Sequence, residues 1–131
     1  MNLLIDTHIF LWLLFDPGNI SPSQISLLEQ PENAVYLSDI SLWEISLKYS
    51  IGKLSLEGVT PDKLPSLAEQ MGISFLSLNT KTAASFHHLP KLKHKDPFDR
   101  MIIWQAIEGD YSLVSNDASF AEYKRLGLLL V

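Results

Sequence analysis

Cysteine is absent from this 131-residue chain, so neither disulfides nor thiolate metal sites are available to it. That suits a reducing compartment, and a cytoplasmic protein is expected. Long apolar runs are absent too. The longest, residues 9–15, falls far short of the roughly 20 residues a membrane helix needs. The first residues lack the basic stretch of a signal peptide, and Asp6 and His8 interrupt their apolar run. There is no repeat, no low-complexity segment and no linker. Charged residues are few, 19% of the chain, and their balance is acidic, with a net charge of -5. This argues against a protein that grips nucleic acid by bulk electrostatics. It leaves a nuclease open, because acids gathered around a metal lower the net charge by themselves. What the chain does have is apolar substance. Hydrophobic residues make up 47% of it, enough to predict a single domain over residues 1–131 with a real core.

Strands and helices alternate along the chain. Residues 3–5 form a short apolar run that reads as a strand buried on both faces, and it ends in Asp6. Residues 8–15 are apolar nearly all round and predict a helix, stopped by Asp16-Pro17-Gly18. Ser21 and Pro22 open a helix over 22–29, with Ser21 as cap and Pro22 at its first position. A strand at 35–37 precedes a helix over 39–50 that ends at Gly52. Further on, the pattern predicts helices at 60–71, 80–88, 97–107 and 118–125, and strands at 73–78, 111–114 and 128–131. Such alternation predicts an α/β fold, a parallel sheet with helices on both faces.

Four carboxylates stand out within this frame. Asp6 and Asp117 each lie at the carboxyl end of a strand and the start of a helix, where open α/β sheets bind ligands. A plain helix cap would account for either one alone. Asp99 falls in the first turn of the helix that Asp96 and Pro97 begin, in line with Ile103 and Ala106. Capping would account for both of these aspartates as well. Glu44 stands on a predicted stripe of Ile40, Trp43, Leu47 and Ile51, where a carboxylate is costly unless paired. Lys48, four residues on, offers an ordinary surface partner. His87 and His88 read as surface residues, and no histidine stands at metal-ligand spacing from an acid. Four acids converging on one sheet edge need a counter-charge. An all-oxygen donor set points to Mg²⁺ or Mn²⁺. Lys91, Lys93, His94 and Lys95, with Arg100 beyond them, form a local basic cluster that reads equally as a solvated loop.

Taken together, Leu4-Ile5-Asp6-Thr7-His8, Ser41-Leu42-Trp43-Glu44-Ile45 with Lys48 and Gly52-Lys53-Leu54, Asp96-Pro97-Phe98-Asp99-Arg100 with Gln105-Ala106, and Ser115-Asn116-Asp117 with Phe120 resemble the PIN-domain family. The likeness is to the VapC-type ribonuclease toxins of toxin–antitoxin pairs, and it covers the whole chain. One departure is Ser115, where many relatives carry Thr; the hydroxyl is kept. The resemblance implies a three-layer α/β/α sandwich with a parallel sheet. It implies that Asp6, Glu44, Asp99 and Asp117 form an acidic metal site, with Asp6 and Asp99 as its main ligands. It further implies a metal-dependent endoribonuclease in which a metal-activated water attacks an RNA phosphodiester. Asp96 and Ser115 would support the site, and Arg100 with Lys93 or Lys95 would hold the substrate's phosphates.

The partners implied are an RNA substrate, a cognate antitoxin and a second copy of the chain in a homodimer. The apolar helix at 8–15 reads either as part of such a surface or as simple core. Two other readings stay open. A phosphatase using Asp6 as nucleophile would want a second Asp two residues on, where this chain has His8. A non-catalytic PIN-like module that binds RNA or protein would keep the fold without turnover.

Overall fold

The computed structural model describes all residues from Met1 to Val131 and is built on β1 (Asn2–Ile5). This strand is apolar throughout its buried length because both of its faces are covered. Leu3 and Ile5 join one core with Ile9, Phe10, Leu37, Ile45 and Leu64. Leu4, pointing the other way by the two-residue period of a strand, joins a second core with Ile102, Ile103, Phe120 and Tyr123. The predicted three layers are therefore present, one core on each side of the sheet.

The sheet is parallel and five-stranded. Its order is β3 (Ser74–Leu76), β2 (Ala34–Ser38), β1, β4 (Ser112–Val114), β5 (Leu129–Leu130). Ile5 is in register with Leu37 on one side and Val114 on the other. The chain winds outward from β1 to β3 and then returns to the far side of β1 for β4. The strand order thus reverses between β1 and β4, and a crevice opens at their carboxyl ends. Asp6 and the segment Ser115-Asn116-Asp117 leave the sheet at that point.

The helix starts follow from local chemistry. Asp6 Oδ1 accepts the Ile9 amide at 2.8 Å and caps α1 (Thr7–Phe15). Ser21 caps α2 (Pro22–Glu29), and Ser38 caps α3 (Asp39–Ser50). The helix expected after Thr60 is a 3-10 turn, Pro61–Lys63, that runs into α4 (Leu64–Gln70). The next divides into α5 (Thr80–Ser85) and a 3-10 turn. Asp96 Oδ1 accepts the Asp99 amide at 3.0 Å and caps α6 (Pro97–Gly109), with Pro97 at a first-turn position where its missing N–H costs nothing. Residues Ala118–Leu126 wind as a 3-10 helix and end at Gly127, whose φ of 101° suits glycine alone. No helix is long and apolar enough to cross a membrane.

One expectation fails. The stripe of Ile40, Trp43, Leu47 and Ile51 is not the buried face of α3. Trp43 is 58% exposed and Ile51 56%, whereas Ser41, Glu44 and Ile45 are buried. The helix is rotated by about one residue from the apolar reading. The carboxylate can turn inward because polar neighbours satisfy it, while Trp43 covers part of its own surface by packing edge-on against Phe98, 5.1 Å between ring centres.

Candidate metal centre at the sheet switch point

Four elements deliver acids to the crevice. Asp6, only 4% exposed, stands at the end of β1. Burial raises its carboxyl above the usual range; the Ser115 hydroxyl and the Ile9 amide temper the shift, and the charge of Asp117 adds to it. The Ser115 hydroxyl thus lies close enough to Asp6 to favour its charged form, and its Oγ accepts the Asp117 amide at 3.1 Å. Asp117 follows β4 and is exposed. Its carboxyl is held below the usual range: slight burial works against the charge, but the Ser119 hydroxyl and amide outweigh it, helped by His94 and His8. Asp6, His8, Trp12, Asn116 and Asp117 line a hollow of about 240 Å³.

Asp99, on the first turn of α6, has its carboxyl pushed up to about 6. Burial is the main cause; Asp96 and Glu44 add to it and His94 opposes it. Asp96 itself caps α6 and lies close enough to Asp99 for their charges to interact. Glu44 is 4% exposed on α3. Its Oε1 accepts from Thr7 Oγ1 at 2.7 Å and its Oε2 from Lys48 Nζ at 2.5 Å. The pair with Lys48 is thus formed, though with a buried acid. Burial lowers the Lys48 ammonium's affinity for its proton, but Glu44 outweighs this, joined by Asp96 and Asp99, and the net effect is a raised pKa.

A histidine completes the cluster, and no spacing rule found it. His94 Nε2 lies 2.9 Å from Asp99 Oδ2, and its Nδ1 lies 3.0 Å from Ser119 Oγ, which donates to Asp117 Oδ1 at 2.6 Å. One ligand atom from each of His94, Asp99 and Asp117 falls within 4.8 Å of the others. A histidine thus stands beside two of the four acids, a placement that the sequence reading did not expect. His94 sits in the loop before the Asp96 cap, where helical periodicity does not apply, and its lysine neighbours made it look like one more basic residue. His87 and His88 are exposed and pack against each other, 4.1 Å between ring centres.

The basic residues separate into two kinds. Lys91, Leu92, His94, Lys95 and Arg100 line a hollow of about 290 Å³, and Lys93 is exposed on the same loop. Arg100, however, has its Nη2 on the carbonyls of Leu89, at 3.1 Å, and Pro90, at 3.0 Å. Its guanidinium also lies 5.0 Å from the Phe86 ring centre. It holds the loop in place and is less free than the lysines to meet a phosphate.

The sequence profile described as the PIN domain matches residues 3–126. The chain belongs to the PIN domain family. Solved PIN-like neighbours span its whole length. VapBC2 from Rickettsia felis, bound to a DNA fragment from its promoter, is 19% identical, with a TM-score of 0.71 over 100% of this chain and 98% of that one. VapBC-1 from nontypeable Haemophilus influenzae is 17% identical, with a TM-score of 0.65 over 100% and 97%. A toxin–antitoxin complex from Klebsiella pneumoniae is 16% identical, with a TM-score of 0.61 over 98% and 95%. No curated protein sequence matches the chain.

The donor set of this PIN domain suits a divalent cation. Two carboxylates and an imidazole converge from three separate segments. Asp6 and Asp99 both hold protons more tightly than ordinary aspartates, chiefly because burial penalises their charge, with neighbouring carboxylates adding to it.

Proposed function

We propose that this PIN domain is a VapC-type toxin, a metal-dependent endoribonuclease held in check by a cognate antitoxin. The observation that carries the reading is the gathering of Asp99, Asp117 and His94 at the strand-order reversal, with Asp6 and Glu44 on adjoining elements. The similar folds of toxin–antitoxin structures support it.

Asp6, Asp99, Asp117 and Glu44 are the residues to hold Mg²⁺ or Mn²⁺. Such an ion supplies charge neutralisation at a phosphodiester and activation of a water for in-line attack. The chain's own groups arrange the rest. The Ile9 amide fixes Asp6 and the Ser119 hydroxyl fixes Asp117, each by donating to the carboxylate. Thr7 fixes Glu44, and Lys48 balances part of the charge of Glu44, Asp96 and Asp99. Lys93 and Lys95 are exposed beside the acids and offer cations to an RNA backbone.

Protein partners are expected on the apolar surface left uncovered, chiefly Trp43, Leu47 and Ile51 of α3. Helix α1 serves core and surface at once: Ile9 and Phe10 are buried, and Leu11 to Phe15 are half-buried. A cognate antitoxin and a second copy of the chain are the partners this reading assigns to these surfaces. The test is direct. Purified protein should cleave RNA with Mg²⁺ or Mn²⁺ and stop when a chelator is added; undiminished cleavage in excess chelator would overturn the assignment.

A further inference from the structure

We propose that His94 is a nitrogen ligand to the cation at this site, beside Asp99 and Asp117, and that it favours Mn²⁺ over Mg²⁺. The inference rests on the metal-dependent reading above and refines the donor set.

The first argument is distance. Two donors on one six-coordinate cation, each about 2.1 Å away and at right angles, stand roughly 3 Å apart. His94 Nε2 and Asp99 Oδ2 are already 2.9 Å apart. The fold therefore already holds both donor atoms at the spacing a shared ion requires.

The second argument is the direction of the ring. Ser119 Oγ gives its hydrogen to the Asp117 carboxylate, so it can only accept from His94 Nδ1. With Nδ1 carrying a hydrogen, a neutral imidazole presents the lone pair of Nε2 toward Asp99. Metal-binding histidines commonly have their far nitrogen oriented in this way by a hydrogen-bond partner. Here that partner also orients Asp117.

The third argument is anchorage. The ring packs edge-on against buried Phe120, 5.2 Å between centres, while the His94 carbonyl accepts from the Tyr123 hydroxyl at 3.2 Å. The His94 amide donates to Glu122 at 3.3 Å. These contacts come from the 3-10 helix that follows Asp117, so one element positions both ligands. The lysines beside His94 in the loop show no comparable bonds and are exposed.

An imidazole among carboxylates changes metal preference, because nitrogen donors favour the transition ions over Mg²⁺. The test is pulsed electron paramagnetic resonance on the purified chain loaded with Mn²⁺. A nitrogen bound to the ion gives a ¹⁴N modulation of the spin echo, and the parent should show it. The signal should disappear in His94→Asn, whose amide can still donate to Ser119, and in His94→Ala. It should persist in His8→Ala, which removes the other nearby imidazole. Calorimetric titration of His94→Asn should show Mn²⁺ affinity reduced by about tenfold or more and Mg²⁺ affinity changed much less. Mn²⁺ bound without nitrogen modulation in the parent would overturn the proposal, as would a modulation that survives in His94→Asn. Failure of the parent to bind Mn²⁺ at all would overturn the metal-dependent reading beneath it.

Discussion

Replacing Asp99 by Asn should make the metal-free protein more stable near neutral pH and cost it its activity. The carboxyl is raised from 3.8 to about 6 by burial, with Asp96 and Glu44 adding to the effect. A carboxyl raised in the folded state binds its proton more tightly there than in the unfolded chain. It therefore favours folding below about pH 4, and that contribution is lost as pH rises through about 6. The shift is about two units, and at ~1.4 kcal/mol per unit the charge costs at most about 3 kcal/mol at neutral pH. His94 reduces the usable figure, since it contacts Asp99 and the two groups titrate together. A gain of about 1–2 kcal/mol for Asp99→Asn is the expectation, or roughly 3–8 °C in melting temperature. Asparagine keeps the shape and an acceptor, so the contact with His94 need not be lost.

The assay is thermal or urea unfolding of both proteins in a chelating buffer, at about pH 7.5 and again at about pH 4. The advantage of the variant should shrink toward the lower pH, where the parent's folded carboxyl holds its proton and no longer carries a charge. Added Mn²⁺ should then stabilise the parent more than the variant, because mass action rewards only a site that binds. A variant less stable than its parent at neutral pH, or a difference that ignores pH, would refute the electrostatic argument.

Two further substitutions probe neighbouring parts of the site. Glu44→Gln should abolish cleavage yet alter stability by no more than about 1 kcal/mol, since Lys48 is a third exposed and still faces Asp96 and Asp99. Retained cleavage with an unchanged Mn²⁺ response would remove Glu44 from the site. Arg100→Ala should lower stability by about 1–3 kcal/mol, because two carbonyls and the Phe86 ring lose their partner. A variant with parent stability and weakened RNA binding would instead give Arg100 a phosphate-holding role.

Much of the architecture was legible in the sequence because it rests on local signals. Serine followed by proline marks the start of α2, and Asp96-Pro97 marks that of α6. An apolar run with an acid at its end marks a buried parallel strand leading into a crevice, as in β1 and Asp6. The orientation of α3 was less accessible. Its apolar row suggested one buried face, but Thr7 and Lys48 satisfy Glu44, and the helix buries its carboxylate while Trp43 stays largely exposed. Tertiary hydrogen bonds of that kind leave no periodic trace. His94 was hidden for a related reason. Its approach to Asp99 depends on how an irregular loop enters α6, and its link to Asp117 crosses to another element through Ser119.

The most direct measurement of the central claim is the chemical identity of the RNA ends produced by the purified chain in Mn²⁺. Water attacking a phosphodiester leaves a linear phosphate on one fragment and a hydroxyl on the other, and those are the ends expected here. Histidine or lysine acting as a base on the neighbouring ribose hydroxyl would instead leave a cyclic phosphate, without need of a cation. Mass spectrometry of a short synthetic RNA after digestion distinguishes the two. Linear phosphate ends that disappear with chelator, and with Asp99→Asn, would agree with hydrolysis at the Asp6, Glu44, Asp99 and Asp117 site. Cyclic phosphate ends formed in the presence of chelator would contradict it.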